Sequence, residues 1–143
     1  MGLRFAKIVD HARPPEKLNV NDPGLTLFSA EDFNVEHGEL HSYRTGIMIE
    51  VPPGGFGMIV VNHGLGVQGG VVCGGVLTPN DVCEVRVSLA NLHRNAIQIK
   101  AGAPLAQLIL IANGNQDDSV DEYDREGLMN EMKATVDKST VEA

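Results

Sequence analysis

Short apolar and β-branched runs, broken about every ten residues by glycine and proline, set the first limit on how this chain folds. The runs are Arg4–Val9, Leu25–Phe28, Phe33–Val35, Glu39–Tyr43, Gly46–Glu50, Gly57–Val61, Val71–Cys73, Gly75–Leu77, Glu84–Ala90, Ile97–Lys100 and Leu105–Ile111. Turn signals such as Asn21-Asp22-Pro23-Gly24, Pro52-Pro53-Gly54-Gly55, Pro79-Asn80-Asp81 and Ala101-Gly102 separate them. No helical period of the length a βαβ unit needs occurs before residue 112, so the rhythm predicts an all-β sandwich or barrel.

Charge divides the chain at the same place. Of its 143 residues, 19 are acidic and 11 basic, a formal net charge of −8. Residues 116–143 hold nine of the acidic side chains against Arg125, Lys133 and Lys138, so −6 of the total sits in the tail. The reading is therefore a β domain over 1–111 and an acidic tail over 112–143. In the tail, Ser119-x-x-Glu122 has the form of a capping box, and Leu128, Met129, Met132 and Val136 recur at helical spacing. A short helix from Asp121 to Val136 and a solvated acidic tail are the two expectations there.

The composition also excludes classes. With no Trp, 4% aromatics and a pI near 5.0, stacking on bases or wrapping a nucleic acid is not expected. A mean hydropathy of −0.05 and no long apolar run argue against a membrane span. Two cysteines and no apolar leader favour an intracellular, reducing setting, cytoplasm or nucleus. His63, Cys73, Cys83 and His93 lack the tight pairing of a zinc site, and Cys73 and Cys83 are read as small apolar residues on hairpin strands. The Gly64-Leu65-Gly66 stretch has no following helix or Lys, which excludes a P-loop. The C-terminal Val141-Glu142-Ala143 lacks the bulky end and the Ser/Thr two positions earlier of a PDZ ligand, so the match there is weak.

Several segments, taken together, resemble one family. Arg4-Phe5-Ala6-Lys7-Ile8 with Ala12-Arg13-Pro14-Pro15 is similar to its opening strand and proline turn. Gly24-Leu25-Thr26-Leu27-Phe28-Ser29-Ala30, Val51-Pro52-Pro53-Gly54-Gly55-Phe56-Gly57 and Gly75-Val76-Leu77-Thr78-Pro79-Asn80-Asp81 follow in the family's order. Gly102-Ala103-Pro104-Leu105-Ala106-Gln107-Leu108-Ile109-Leu110 matches its fourth motif almost in full. The chain resembles the trimeric dUTP pyrophosphatases (dUTPases) over residues 4–111. The resemblance implies a distorted β-barrel or jelly roll, a homotrimer, and active sites shared between subunits.

The same alignment puts different chemistry at the implied nucleotide pocket. Thr26 stands where the family keeps the Asp of its magnesium site, and Asn62-His63-Gly64 where it keeps a phosphate-gripping Arg-Ser-Ser. Thr78 replaces the Asp that orients the attacking water, and Asp81 replaces a Tyr that stacks on deoxyribose. The fifth motif, a Gly-rich arm with a Phe, has no counterpart in 112–143. Gln107, Gly57, Gly69, Gly75 and Gly102 remain. Ser88 stands where the related dCTP deaminases use a Glu. A threonine is no general base near neutral pH and a poor anchor for Mg²⁺. Losing the Arg removes a charge-assisted contact of about 1.5–3 kcal/mol.

The expectation is a catalytically degenerate homotrimer with a vestigial pocket (Thr26, Asn62, His63, Gly64, Gly75, Thr78, Asp81, Gln107), no cofactor, and a protein partner of basic character. A viral or mobile-element origin is expected by analogy with other derived members of the family. The alternative is a nucleotide-binding protein or pyrophosphatase of altered specificity, for which Mg²⁺ would be needed.

Overall fold

A computed structural model describes residues 3–113 and 121–142, the last of these by backbone alone beyond residue 135. Ten strands run β1 (Arg4–Lys7), β2 (Leu25–Phe28), β3 (Phe33–Val35), β4 (Leu40–Glu50), β5 (Gly55–Val61), β6 (Gly70–Val72), β7 (Val76–Leu77), β8 (Glu84–Asn91), β9 (Ile97–Ile99) and β10 (Pro104–Ala112). Helix α1 (His63–Val67) lies between β5 and β6, and α2 (Arg125–Glu142) follows β10. One sheet has the order β1-β4-β8-β6, the second β2-β10-β5-β7, and β3 pairs with β9 in a two-stranded ribbon. The fold is mostly β, and among the described residues the strands form these separate sheets rather than one hydrogen-bonded ring.

Alternation decides what the core contains. Thr45, Ile47 and Ile49 on β4 and Val85, Val87 and Leu89 on β8 turn inward. They meet Leu27, Ile59, Leu105, Ala106 and Leu108 of the second sheet and Val35, Ile97 and Ile99 of the ribbon in one apolar cluster. The outer face of the second sheet breaks the usual apolar-in, polar-out rule. Ile109, Met58 and Val76 line up across β10, β5 and β7, and Ile111 pairs with Phe56, all on the side away from the core. Strands apolar on both faces are those that need cover on both faces.

Two runs read as separate strands, Glu39–Tyr43 and Gly46–Glu50, are one strand, β4, bent by a bulge. Its register against β8 shifts between Arg44 and Met48. Gly46 sits there with φ of 72°, and a Cβ on it would lie 2.7 Å from Val9 Cγ2 and 2.9 Å from Ala12 Cβ. Its carbonyl takes the N–H groups of Ile8 and Val9 at 2.7 and 3.3 Å, which ends β1 at Lys7 and turns the chain inward to bury Ala12. The buried Thr45 hydroxyl donates to Val85 O at 2.6 Å. Arg44 donates through Nε and Nη2 to the Glu84 carboxylate at 3.0 and 2.7 Å.

Other departures have equally local causes. The glycine-rich stretch after β5 is itself a short helix, because Asn62 Oδ1 accepts the Gly64 N–H at 3.0 Å and Leu65 is buried beneath it. Cys73 and Cys83 are not packed strand residues: each lies just beyond a strand end and is exposed. Helix α2 begins at Arg125 and continues to Glu142, past the expected end at Val136, while Ser119 of the expected capping box lies outside the described residues. Leu128, Met129 and Met132 on α2 are exposed.

Gly46→Ala should cost about 2–4 kcal/mol in urea unfolding, since it combines a left-handed φ with contacts that cannot give way. Gly38→Ala, where φ is 75° and nothing lies within 4 Å, should cost only the backbone strain, about 1–2 kcal/mol. Equal losses at both sites would contradict the role given to Gly46. Hydrogen bonding from Arg44 holds the largely buried Glu84 carboxylate below its ordinary range. Its contribution is therefore complete above the unfolded carboxylate value, about 4.3, and fades as pH falls through the lower folded value. Glu84→Gln should destabilise by about 1–2 kcal/mol at neutral pH, and the gap to the parent should close in acid below about pH 4.

Candidate functional site

The expected pocket residues form two groups on one chain. Central strand β10 organises the first, because Gln107 pairs with Thr26 on one side and Val60 on the other. Thr26 is buried, its main chain bridged to Glu16 through Thr26 N–H to Glu16 O at 2.7 Å and Glu16 N–H to Thr26 O at 3.1 Å. Asn62, His63 and Gly64 follow β5 directly into α1. His63 and Gln107, with Val61, Gly66 and Val67, line an open cavity of about 340 Å³. Among the described residues, His63 is the one ionisable side chain on that lining.

The second group sits on the β7 hairpin. Gly75 has φ of 108° and passes so close to β5 that a Cβ would stand 2.8 Å from Ile59 O. The Ile59 N–H donates to Gly75 O at 2.6 Å. Beyond β7 the chain turns at Thr78-Pro79-Asn80-Asp81. Asp81 N–H donates to Thr78 O at 3.0 Å, and Asp81 Oδ2 accepts from the Thr78 N–H at 2.7 Å and the Thr78 hydroxyl at 3.4 Å. Leu77 lies opposite Gly57, four residues from the end of β5 that borders the first group. Gly75 itself, bonded to Ile59, sits about two strand spacings (on the order of 10 Å) from Gln107, whereas the Thr78–Asp81 turn is on the order of 15 Å away, and the cavities beside the two have no lining residue in common.

Two of the expected side chains are thus spent on their own backbone. Asn62 Oδ1 satisfies Gly64, and the Asp81 carboxylate satisfies Thr78. Asp81 does border a second open cavity, of about 450 Å³, beside Phe5, Met48, Val82 and the Arg4–Glu50 pair. There Arg4 donates to both carboxylate oxygens of Glu50, through Nε to Oε2 and through Nη2 to Oε1 at 2.9 Å. The guanidinium keeps Glu50 below the ordinary carboxylate range, and both groups face solvent. Sequence reasoning missed this cleft. It depends on β1 pairing with β4, with Arg4 opposite Glu50, which no local pattern signals.

A hard cation such as Mg²⁺ takes carboxylate and phosphate oxygens. Thr26, Gln107, Asn62 and His63 offer hydroxyl, amide and imidazole ligands, and the one carboxylate among the expected pocket residues, Asp81, is engaged with Thr78. These residues do not fit the magnesium site that the resemblance implies. Among the described residues no three His, Cys, Asp or Glu side chains gather in a metal-holding group, and Ser88 pairs across the sheet with Ser42.

A sequence profile of the dUTPase family matches residues 10–134, and the chain belongs to that family. Deoxyuridine 5′-triphosphate nucleotidohydrolase of Mus musculus is 33% identical over 108 residues, covering 75% of this chain and 67% of the mouse protein. The mitochondrial enzyme of Homo sapiens is 32% identical over 110 residues, 76% of this chain and 44% of the human protein, and the one from fowl adenovirus A serotype 1 is 33% identical over 109 residues, 76% of this chain and 61% of the viral protein. The chain thus spans from two thirds to less than half of these relatives. Among solved structures, a dUTPase mutant from the Staphylococcus aureus phage phi11, with a coordinated structural Mg(II) ion, superposes with a TM-score of 0.75 at 20% identity over 86% of this chain and 99% of that one. The EIAV dUTPase gives 0.71 at 22% identity, over 87% and 98%. At these identities the likeness establishes the fold.

Proposed function

We propose that this chain is a catalytically degenerate dUTPase-fold protein, a pseudoenzyme that acts as a structural or regulatory interaction module. The observation that carries the reading is the chemistry of the pocket. Among the described residues, the lining of the cavity that holds Gln107 has no carboxylate and no guanidinium, and Thr26 and Thr78 stand where the family resemblance implies acids. Hydrolysis of a triphosphate needs charge to bind the phosphates, a metal to bridge them and a base to orient water. Loss of the base alone lowers rate by about 10²–10⁴.

The assembly we propose is a homotrimer, supported by the apolar outer face of the β2-β10-β5-β7 sheet, where exposed Met58 lies between half-buried Ile109 and exposed Val76. Three tails of net −6 would then surround one axis, a field that suits a basic protein partner and repels nucleic acid. A viral or mobile-element source and an intracellular site of action belong to the same proposal.

The relatives favour a second reading, since they are named as nucleotidohydrolases of deoxyuridine triphosphate. On that reading Gln107 and the hairpin backbone still hold a nucleotide, and the activity requires Mg²⁺. Pyrophosphate release from dUTP and other nucleoside triphosphates with Mg²⁺ separates the two. The degenerate reading predicts release no faster than without protein. Turnover by the parent chain that Gln107→Ala abolishes would overturn it.

A further inference from the structure

Strand β1 ends the first sheet: among the described residues its one ladder is with β4, and all four of its residues are exposed. One bond fixes which way its main chain faces. The Ile8 N–H reaches Gly46 O at 2.7 Å, on the β4 side. Main-chain groups alternate sides along an antiparallel strand, so those of Ala6 and Arg4 also turn toward β4 and those of Phe5 and Lys7 turn outward. Just inside this edge lies the open cleft of about 450 Å³. Ala6 pairs with Met48 and shares its outer face, so a single methyl separates the edge from the cleft, with Val82 on the far wall. Arg4 is taken up by Glu50, whereas Lys7 enters no ion pair among the described residues.

We propose that β1 and this cleft accept an extended segment of a partner protein, added to the four-stranded sheet as a further strand, in which a carboxylate stands beside a bulky apolar residue. Residues directly opposite one another on paired strands share a face. The bulky side chain, opposite Ala6, lies over its methyl and fills the cleft against Met48 and Val82. The carboxylate, opposite Lys7, falls on the other face, away from Glu50 and Asp81. Main-chain bonds to Phe5 and Lys7 supply affinity, while the cleft and the lysine supply selection. The β1 strand of a second copy is the wrong occupant, because two strands that each carry Arg4 and Lys7 repel. This edge is locally basic in a chain of net −8, so it is a surface apart from the acidic tail. It stands whether or not the pocket hydrolyses a nucleotide.

The test takes the ¹⁵N-labelled full chain and two acetylated, amidated peptides, Thr-Thr-Asp-Leu-Val-Thr-Thr and the same with Lys in place of Asp. At saturation the Asp probe should slow amide hydrogen exchange at Phe5 and Lys7 by about tenfold or more. Ala6 and Ile8, already turned toward β4, should change by less than about threefold. Exchanging Leu for Ser in the Asp probe should weaken it about tenfold or more. Lys7→Glu should weaken the Asp probe about five- to tenfold and make the Lys probe the better ligand, a reversal that no loss of folding can mimic. No saturable binding of the Asp probe up to about 1 mM, or equal protection at all four amides, would overturn the proposal. So would an unchanged preference between the probes in Lys7→Glu. Protection of Phe5 and Lys7 in the free chain that grows with protein concentration would overturn it too, because a second copy would then hold the edge.

Discussion

The bend at Gly46 is the constraint on which the rest of the structure depends. An eleven-residue strand cannot wrap a small core while staying flat, and the bulge between Arg44 and Met48 supplies the turn. The left-handed Gly46 admits the incoming chain against Val9, Ala12 and Ala30, and its carbonyl takes the first two N–H groups after β1. Around it, Thr45 bonds Val85 O, and the Arg44–Glu84 pair spans β4 and β8 on the outer side. The two large sheets share one apolar cluster because this strand changes direction there.

Much of this order could be read from residue patterns, and the misses have physical reasons. Strands such as Leu25–Phe28 and Phe33–Val35 have the bounds that their turns and apolar runs imply. The join of Glu39–Tyr43 to Gly46–Glu50 was not legible, because a glycine between two runs marks a turn and a bulge equally well. Helix α1 was hidden by its glycines, and it forms because Asn62 caps it and Leu65 buries itself, both effects of the surrounding sheet. Cys73 and Cys83 were misread as strand residues by position, although each falls one residue beyond a strand end. The Arg4–Glu50 cleft depends on which strand pairs with which, and pairing is set by the whole fold.

The candidate site divides along the same line. Its members could be named from the order of motifs, since Thr26, Asn62, Thr78 and Gln107 occupy places defined by their neighbours. Their use could not. That Asn62 caps a helix and Asp81 clasps a turn follows only from where the backbone sends each side chain. The same polar residue types that give a site its chemistry also satisfy loops, and the acceptor geometry tells the roles apart. On the proposed reading the dUTPase fold persists while Asn62 and Asp81 are engaged with their own backbone and threonines stand where acids are expected.

The most direct test of that account is a ¹H–¹⁵N spectrum of the whole chain recorded during titration with dUTP and Mg²⁺. The account predicts that the amides of His63, Gly64, Gln107 and Thr78 stay where they are at nucleotide concentrations up to about 1 mM, where a binding free energy near −4 kcal/mol would already half-saturate a site. Saturable shifts confined to those four positions would contradict it, and would show that the pocket still holds the nucleotide its relatives hydrolyse.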